Sequence, residues 1–182
     1  MKKLFTLFLI FIATTSVFAG QGGPDLWGYT WKDSNEPGGP AYNWIDIVNE
    51  GGIEVKLLQD DNIRGPFQMN FDFTYYWYNV NQFYVGSNGY ICFQFGNLAS
   101  PFPFSPSTAA PNDLIGAFMN DLTFAGSNDS AECYYRINAA KDTLIVSYVN
   151  VPYFDINANG QSGNNTFQII LSKVDSSITF QY

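Results

Sequence analysis

The sequence predicts an all-β fold, an antiparallel β-sandwich of about nine to ten strands with an aromatic-rich N-terminal strap. Three observations point there. From residue 53 onward apolar and polar residues alternate with the period of a strand. Gly, Asn, Asp and Ser cluster between the alternating runs, where turns need them. Outside the first twenty residues no window carries a helical period of useful length.

The elements follow in order. Met1–Ala19 has the pattern of a secretory signal peptide: Lys2 and Lys3, then apolar Leu4–Phe18, then small residues at Val17 and Ala19 for cleavage. The apolar stretch is broken by Thr14, Thr15 and Ser16, and it is shorter than the ~20 residues a membrane span needs. The expected location is secreted or cell surface, with no membrane span once the leader is removed. Gly20–Pro24 is a flexible lead. Asp25–Ile47 holds Trp27, Trp31 and Trp44 around a Pro37-Gly38-Gly39-Pro40 turn, and is expected to pack as a strap along a sheet edge, burying its indoles. Residues 20–66 then form the strap and first strands, and residues 67–182 the sandwich, together one folded unit.

Ile53–Leu57 alternates as a strand. In Phe67–Tyr78, Phe67, Met69, Phe71, Phe73, Tyr75 and Trp77 share one face, and Gln68, Asn70, Asp72 and Thr74 the other. Asn88-Gly89 between apolar runs signals a two-residue hairpin. That register sets Ser87 opposite Tyr90 and Val85 opposite Cys92. Cys92 then joins the face of Phe83 and Val85, with Ile91 and Phe93 on the face of Tyr84. A loop with Pro101, Pro103, Pro106 and Pro111 follows. Leu114–Met119, Glu132–Ile137, Thr143–Val151, Thr166–Ser172 and Ser177–Tyr182 complete the strands. The last breaks off in full stride, so either this strand is covered in the fold or the chain is one module of a longer product.

Composition bounds function. Acids outnumber bases 16 to 8, giving a formal charge of −8. Such a surface argues against nucleic acid, which requires clustered Lys and Arg. The chain has 0 histidines, which removes Ser-His-Asp and Cys-His catalysis and His-ligated zinc or haem. Ser87 and Ser105 therefore lack an imidazole base. Carboxylates at Asp60, Asp61, Asp113, Asp121, Asp129, Glu132 and Asp155 offer many accidental pairs, and no spacing selects a catalytic one. Cys92 and Cys133 form either a disulfide, as export favours, or two buried free thiols.

Two ligand patterns remain. In Asp155-Ile-Asn157-Ala-Asn159-Gly160-Gln161, oxygen-bearing side chains alternate ahead of a glycine, as in a calcium loop, with Gln161 a further donor. Thr166 stands where the bidentate Glu would be, and the same residues suit an Asn/Gly hairpin loop. Asn120-Asp121 with Asn128-Asp129 is a second, weaker pattern. Tyr76 and Tyr78 point away from the face of Tyr75 and Trp77; they would stack on sugar rings if exposed, or lie under the N-terminal strap if that face is also covered. Apart from calcium, no cofactor is implied.

Several segments together resemble the nidogen-like extracellular domain. They are Phe71-Asp-Phe73, Phe83–Phe93 with its Ser-Asn-Gly-Tyr-Ile core, Ala110–Asp121, Asp142–Val151, Thr166–Leu171 and Ile178–Tyr182. Their order matches the family over roughly residues 67 to 182. Ala117-Phe118-Met119-Asn120 departs from it, since the family usually has a tryptophan before the aspartate matching Asp121. The Gly28–Pro40 strap looks like the start of many large bacterial surface or secreted proteins. The resemblance implies a non-catalytic module for adhesion or domain organisation, with an extracellular protein or glycan as partner. It carries no catalytic residues to transfer. The alternative reading is a carbohydrate-binding module accompanying a secreted hydrolase.

Overall fold

The computed structural model describes residues 20–99, 112–126, 130–157 and 160–182. Met1–Ala19, the proline loop with Ser105, Asn128-Asp129 and Asn159 lie outside the described residues.

The chain divides into two compact units, one ending at Ala41 and one spanning Tyr42–Tyr182. In the first, β1 (Gln21–Gly22) pairs antiparallel with β2 (Trp31–Lys32). The connecting turn is organised by Asp25, whose Oδ1 accepts the N–H groups of Trp27 and Tyr29 at 2.8 and 2.9 Å. Trp27 and Trp31 stay 57% and 52% exposed, so the expected burial of these two indoles does not occur. Two-residue strands present too little surface to cover them.

The second unit holds β3 (Ile53–Glu54), β4 (Ile63–Tyr75), β5 (Tyr78–Gly86), β6 (Tyr90–Cys92), β7 (Leu114–Gly116), β8 (Glu132–Ile137), β9 (Thr143–Asp155), β10 (Gly160–Ser172) and β11 (Ser177–Gln181). They build two antiparallel sheets, a 4-stranded one in order β4-β5-β6-β7 and a 5-stranded one in order β11-β10-β9-β8-β3. One core takes Met69, Phe71, Phe73, Phe83, Val85 and Ile91 from the first sheet and Leu144, Val146, Tyr148, Phe167, Ile169 and Leu171 from the second. The fold is the expected all-β sandwich.

Pattern and structure agree best along β4. Met69, Phe71, Phe73 and Tyr75 are buried, while Gln68, Asn70, Asp72 and Thr74 face solvent. The ladder with β5 is interrupted between Gln68 and Phe73, where Asn70 takes a left-handed φ of 61°. Asparagine tolerates that conformation. Trp77 departs from the expected inner face, because the chain turns at Tyr76-Trp77 before the alternation reaches it. The alternation over Ile53–Leu57 also fails beyond Glu54. Ile53 and Leu57 are exposed, and Leu57 turns left-handed at φ 65°, which sends Leu58 into the core instead.

The hairpin between β5 and β6 has a different register from the two-residue reading. Gly86 pairs with Tyr90, Val85 with Ile91 and Tyr84 with Cys92, so three residues, Ser87-Asn88-Gly89, form the turn. Ser87 is withdrawn from the ladder by Asn62: its N–H donates to Asn62 O at 2.8 Å, and its Oγ accepts from Asn62 N at 3.0 Å. A one-residue slip exchanges the faces of every following side chain. Ile91 and Phe93 therefore enter the core. Cys92 lies behind the sheet with Ile63, Tyr90 and Leu98. Cys133 lies inside the sandwich, so the two cysteines occupy opposite sides of the β5–β6 sheet and are free thiols, not a disulfide. Burial pushes the Cys92 thiol up to about 12 and raises Cys133 well above its ordinary value, so both stay protonated and inert.

Tyr42–Ile47 crosses the outer face of the five-stranded sheet instead of running along its edge. Ser147, Gln168 and Gln181 sit side by side on β9, β10 and β11, all buried. The Gln181 amide accepts Asn43 N–H and donates to Asn43 O, both at 2.7 Å. The Gln168 amide does the same for Ile45 at 3.2 and 2.6 Å, and also donates to Ser147 Oγ at 2.9 Å. Side-chain amides thus stand in for a neighbouring strand. Below this segment Ile47 is fully buried, and Trp44 is half-buried.

Tyr148 joins the sheets at their centre. Its ring stacks on Phe167 with centroids 4.5 Å apart and planes within 13°. Its hydroxyl is shared between Gly86 O at 2.9 Å and Tyr90 O at 2.8 Å, at the mouth of the β5–β6 turn. Tyr148→Phe keeps the ring and removes this donor, and should lower unfolding stability by about 1–2 kcal/mol. Urea unfolding checks this, and a midpoint equal to the parent's would contradict the clip.

Candidate functional site

Three places need consideration. The first is the calcium-loop pattern. Asp155 ends β9, and its Oδ1 accepts Asn157 N–H at 2.8 Å, an Asx turn within the β9–β10 hairpin. Gln161 turns to another segment, its Nε2 donating to Ala125 O at 3.0 Å. The fold therefore joins Asp155 and Asn157 in a turn and directs the Gln161 amide elsewhere.

The second is an acidic cluster that no sequence spacing selects. Oxygens of Asp60, Asp61 and Asp121 lie within 4.8 Å of one another. Backbone bridges make the meeting: Asp60 pairs with Thr123, Leu122 pairs with Tyr153, and Phe154 N donates to Asp121 O at 2.8 Å. Asn88, 0% exposed, holds the cluster from beneath. Its Nδ2 donates to Asp61 Oδ1 at 2.7 Å and to Leu98 O at 2.9 Å, and its Oδ1 accepts Leu122 N–H at 2.9 Å. Gly89 beside it takes φ 79°, and a Cβ there would overlap the Phe118 carbonyl oxygen. Asn-Gly is thus a buried junction, not only a turn signal.

Asp60 Oδ1 is sealed from solvent and has no hydrogen-bond partner. Burial first, then the Asp61 charge, push the Asp60 carboxyl above its ordinary value; a Thr123 hydrogen bond opposes this and Asp121 adds to it. Three hard oxygens are donors that a divalent cation takes, though calcium wants roughly six to eight. The protein's ion pairs among the described residues, Lys56–Glu54 and Arg136–Glu50, lie elsewhere.

The third is aromatic. Tyr75 pairs with Tyr78 across a two-residue turn, Tyr76-Trp77. Tyr76 adopts φ 53°, a conformation that a bulky side chain takes only under local strain. A framework of edge-on rings holds it there. Tyr75 meets Tyr76 at 4.7 Å, Phe93 at 4.8 Å and Tyr78 at 6.0 Å, and its hydroxyl donates to Leu114 O at 3.0 Å. The condition for stacking, that Tyr76 and Tyr78 be exposed together, is not met. Tyr78 packs against the core and its hydroxyl is sealed, with burial and then Asp113 raising its pKa well above tyrosine's ordinary value. The exposed rings are Trp77 at 67% and Tyr76 at 37%. Sequence alternation missed Trp77 because a turn built from Tyr and Trp has no Gly or Asn to announce it.

Two antiparallel sheets closed over an aromatic core, with ordered rings presented on a turn, define a β-sandwich module. Residues 36–182 match the family described as NIDO related, and the chain belongs to that family. Neither a curated protein nor a solved structure matches the chain. No helix among the described residues is long and apolar enough to cross a membrane.

The acidic cluster makes a signed pH prediction. A raised native pKa means the folded state holds the Asp60 proton more tightly than the unfolded chain does. Stability is then lost as pH rises from the unfolded value of about 3.9 through the native one. Asp60→Asn should therefore be more stable than the parent at neutral pH in chelator, with the advantage disappearing below about pH 3.9. Urea unfolding at the two pH values checks it, and an equal difference at both would contradict the shift.

Proposed function

We propose that this chain is a secreted or surface-exposed, non-catalytic module that makes contacts for adhesion or domain organisation in a larger extracellular protein. The observation that carries the reading is the Tyr76-Trp77 turn, where large rings are exposed on a strained but well-braced hairpin. Rigid aromatic side chains give a large contact area at little cost in conformational entropy. Membership of the NIDO-related family supports a module of the extracellular space. The Met1–Ala19 leader pattern supports export, and the formal charge of −8 disfavours nucleic acid as partner. A carbohydrate-binding module serving a secreted hydrolase is the second reading, favoured by the exposure of Trp77.

Beads coated with the purified chain should adhere to cell-free extracellular matrix from cultures of the producing organism. Beads coated with Trp77→Ala should lose most of that adhesion while the variant melts with the parent. Equal adhesion of the two, or hydrolytic turnover by the chain on its own, would overturn the reading.

A further inference from the structure

We propose that Asn88-Gly89 is a covalent modification site opened only by unfolding, where the Asn88 side-chain amide is hydrolysed and the chain thereby loses the ability to refold. Two Asn-Gly pairs occur in the sequence, Asn88-Gly89 and Asn159-Gly160. In an unconstrained chain such a pair is a reactive setting for asparagine, because glycine has no Cβ to shield its backbone nitrogen. The Gly89 nitrogen attacks Asn88 Cγ, the Cγ–Nδ2 bond breaks, and ammonia leaves with the proton lost from the Gly89 nitrogen. Water then adds to one carbonyl of the five-membered imide and reopens the ring. The product is an aspartate, or an isoaspartate whose main chain runs through Cγ and is one carbon longer. Water is the sole co-reactant, and nothing is oxidised or reduced.

The fold blocks the reaction. Asn88 is 0% exposed, and three segments hold its amide at once. Nδ2 donates to Asp61 Oδ1 at 2.7 Å and to Leu98 O at 2.9 Å, and Oδ1 accepts Leu122 N–H at 2.9 Å. Ring closure expels Nδ2, so both of its bonds must break in a site closed to water. Gly89 is fixed as well, at φ 79° with the Phe118 carbonyl oxygen packed where a Cβ would stand. The same contacts reject the product. A carboxylate has no N–H for Leu98 O, and it sets an oxygen against Asp61 in a cluster that already holds Asp60 and Asp121. The isoaspartate lengthens the turn between Gly86 and Tyr90, whose carbonyls the Tyr148 hydroxyl joins at 2.9 and 2.8 Å. Asn88 is therefore protected while native, labile when unfolded and unusable once changed. Time spent unfolded becomes a one-way loss, which makes the lifetime of the protein a matter of its unfolding rate.

The whole chain is incubated at mildly alkaline pH, one sample native and one in concentrated urea. Peptide mapping follows the mass gained when –NH2 becomes –OH at each Asn-Gly pair. Conversion at Asn88 should be about a hundredfold or more slower in the native sample, while Asn159 reports the unfolded-chain chemistry in urea. On dilution from urea, the yield of refolded chain should fall in step with Asn88 conversion, and the refolded molecules should carry unmodified Asn88. Asn159→Gln, which removes the second pair, should show the same loss. Asn88→Asp, made directly, should fail to fold or melt below the parent. Equal rates at Asn88 in the native and unfolded samples would overturn the proposal. So would an inert Asn88 in urea while Asn159 converts, native chains recovered with Asn88 converted, or an Asn88→Asp variant that melts with the parent.

Discussion

The Asn88 side chain uses both amide hydrogens and its carbonyl oxygen on three separate segments, Asp61, Leu98 and Leu122, in a site with no access to solvent. A buried amide can be tolerated only when satisfied in this way. Meeting that requirement draws Ser87 and Asn88 out of the ladder and makes the β5–β6 turn three residues long. Turn length sets register, and register decides which residues fill the sandwich. Ile91 and Phe93 reach the core for this reason, and Cys92 does not. Tyr148 then clips the opposite sheet to the carbonyls at that same turn.

Much of the fold was legible in the residues themselves. The alternation from Met69 to Tyr75 marks the buried face of β4 because a strand has a period of two and nothing else in that segment competes. The Asn88-Gly89 pair correctly marks a hairpin. Its length was not legible, because Ser87 answers to Asn62, 25 positions away, and local turn statistics contain no such partner. The same limit applies to the acidic cluster, which depends on a backbone bridge from Asp60 to Thr123. Aromatic strand ends mislead in another way. Tyr75, Tyr76, Trp77 and Tyr78 read as more strand, and only the pairing of Tyr75 with Tyr78 reveals the turn.

The structure also shows how a chain so rich in aromatic residues divides them. Phe73, Phe83, Tyr148 and Phe167 close the core, while Tyr75 and Phe93 brace a turn whose outer rings remain in solvent. Across the other sheet, Gln168 and Gln181 hold Asn43 and Ile45 through paired amide bonds, which seals that face with backbone instead of leaving it open. The two faces are thereby made different. One is covered by Tyr42–Ile47, and the other buries Ile63, Tyr90, Cys92 and Leu98 at one end while Gln68, Asn70, Asp72 and Thr74 face solvent along β4.

The register of the β5–β6 hairpin is tested most directly by the state of its cysteine. Protein purified under oxidising conditions, unfolded in denaturant and alkylated with no reductant present, should take up an alkyl group at both Cys92 and Cys133, since the sheet separates them. Intact mass reads the outcome. A chain that takes up none, and is lighter by the pair of hydrogens lost to a disulfide, would place both sulfurs on one side of the sheet and contradict the register on which this account rests.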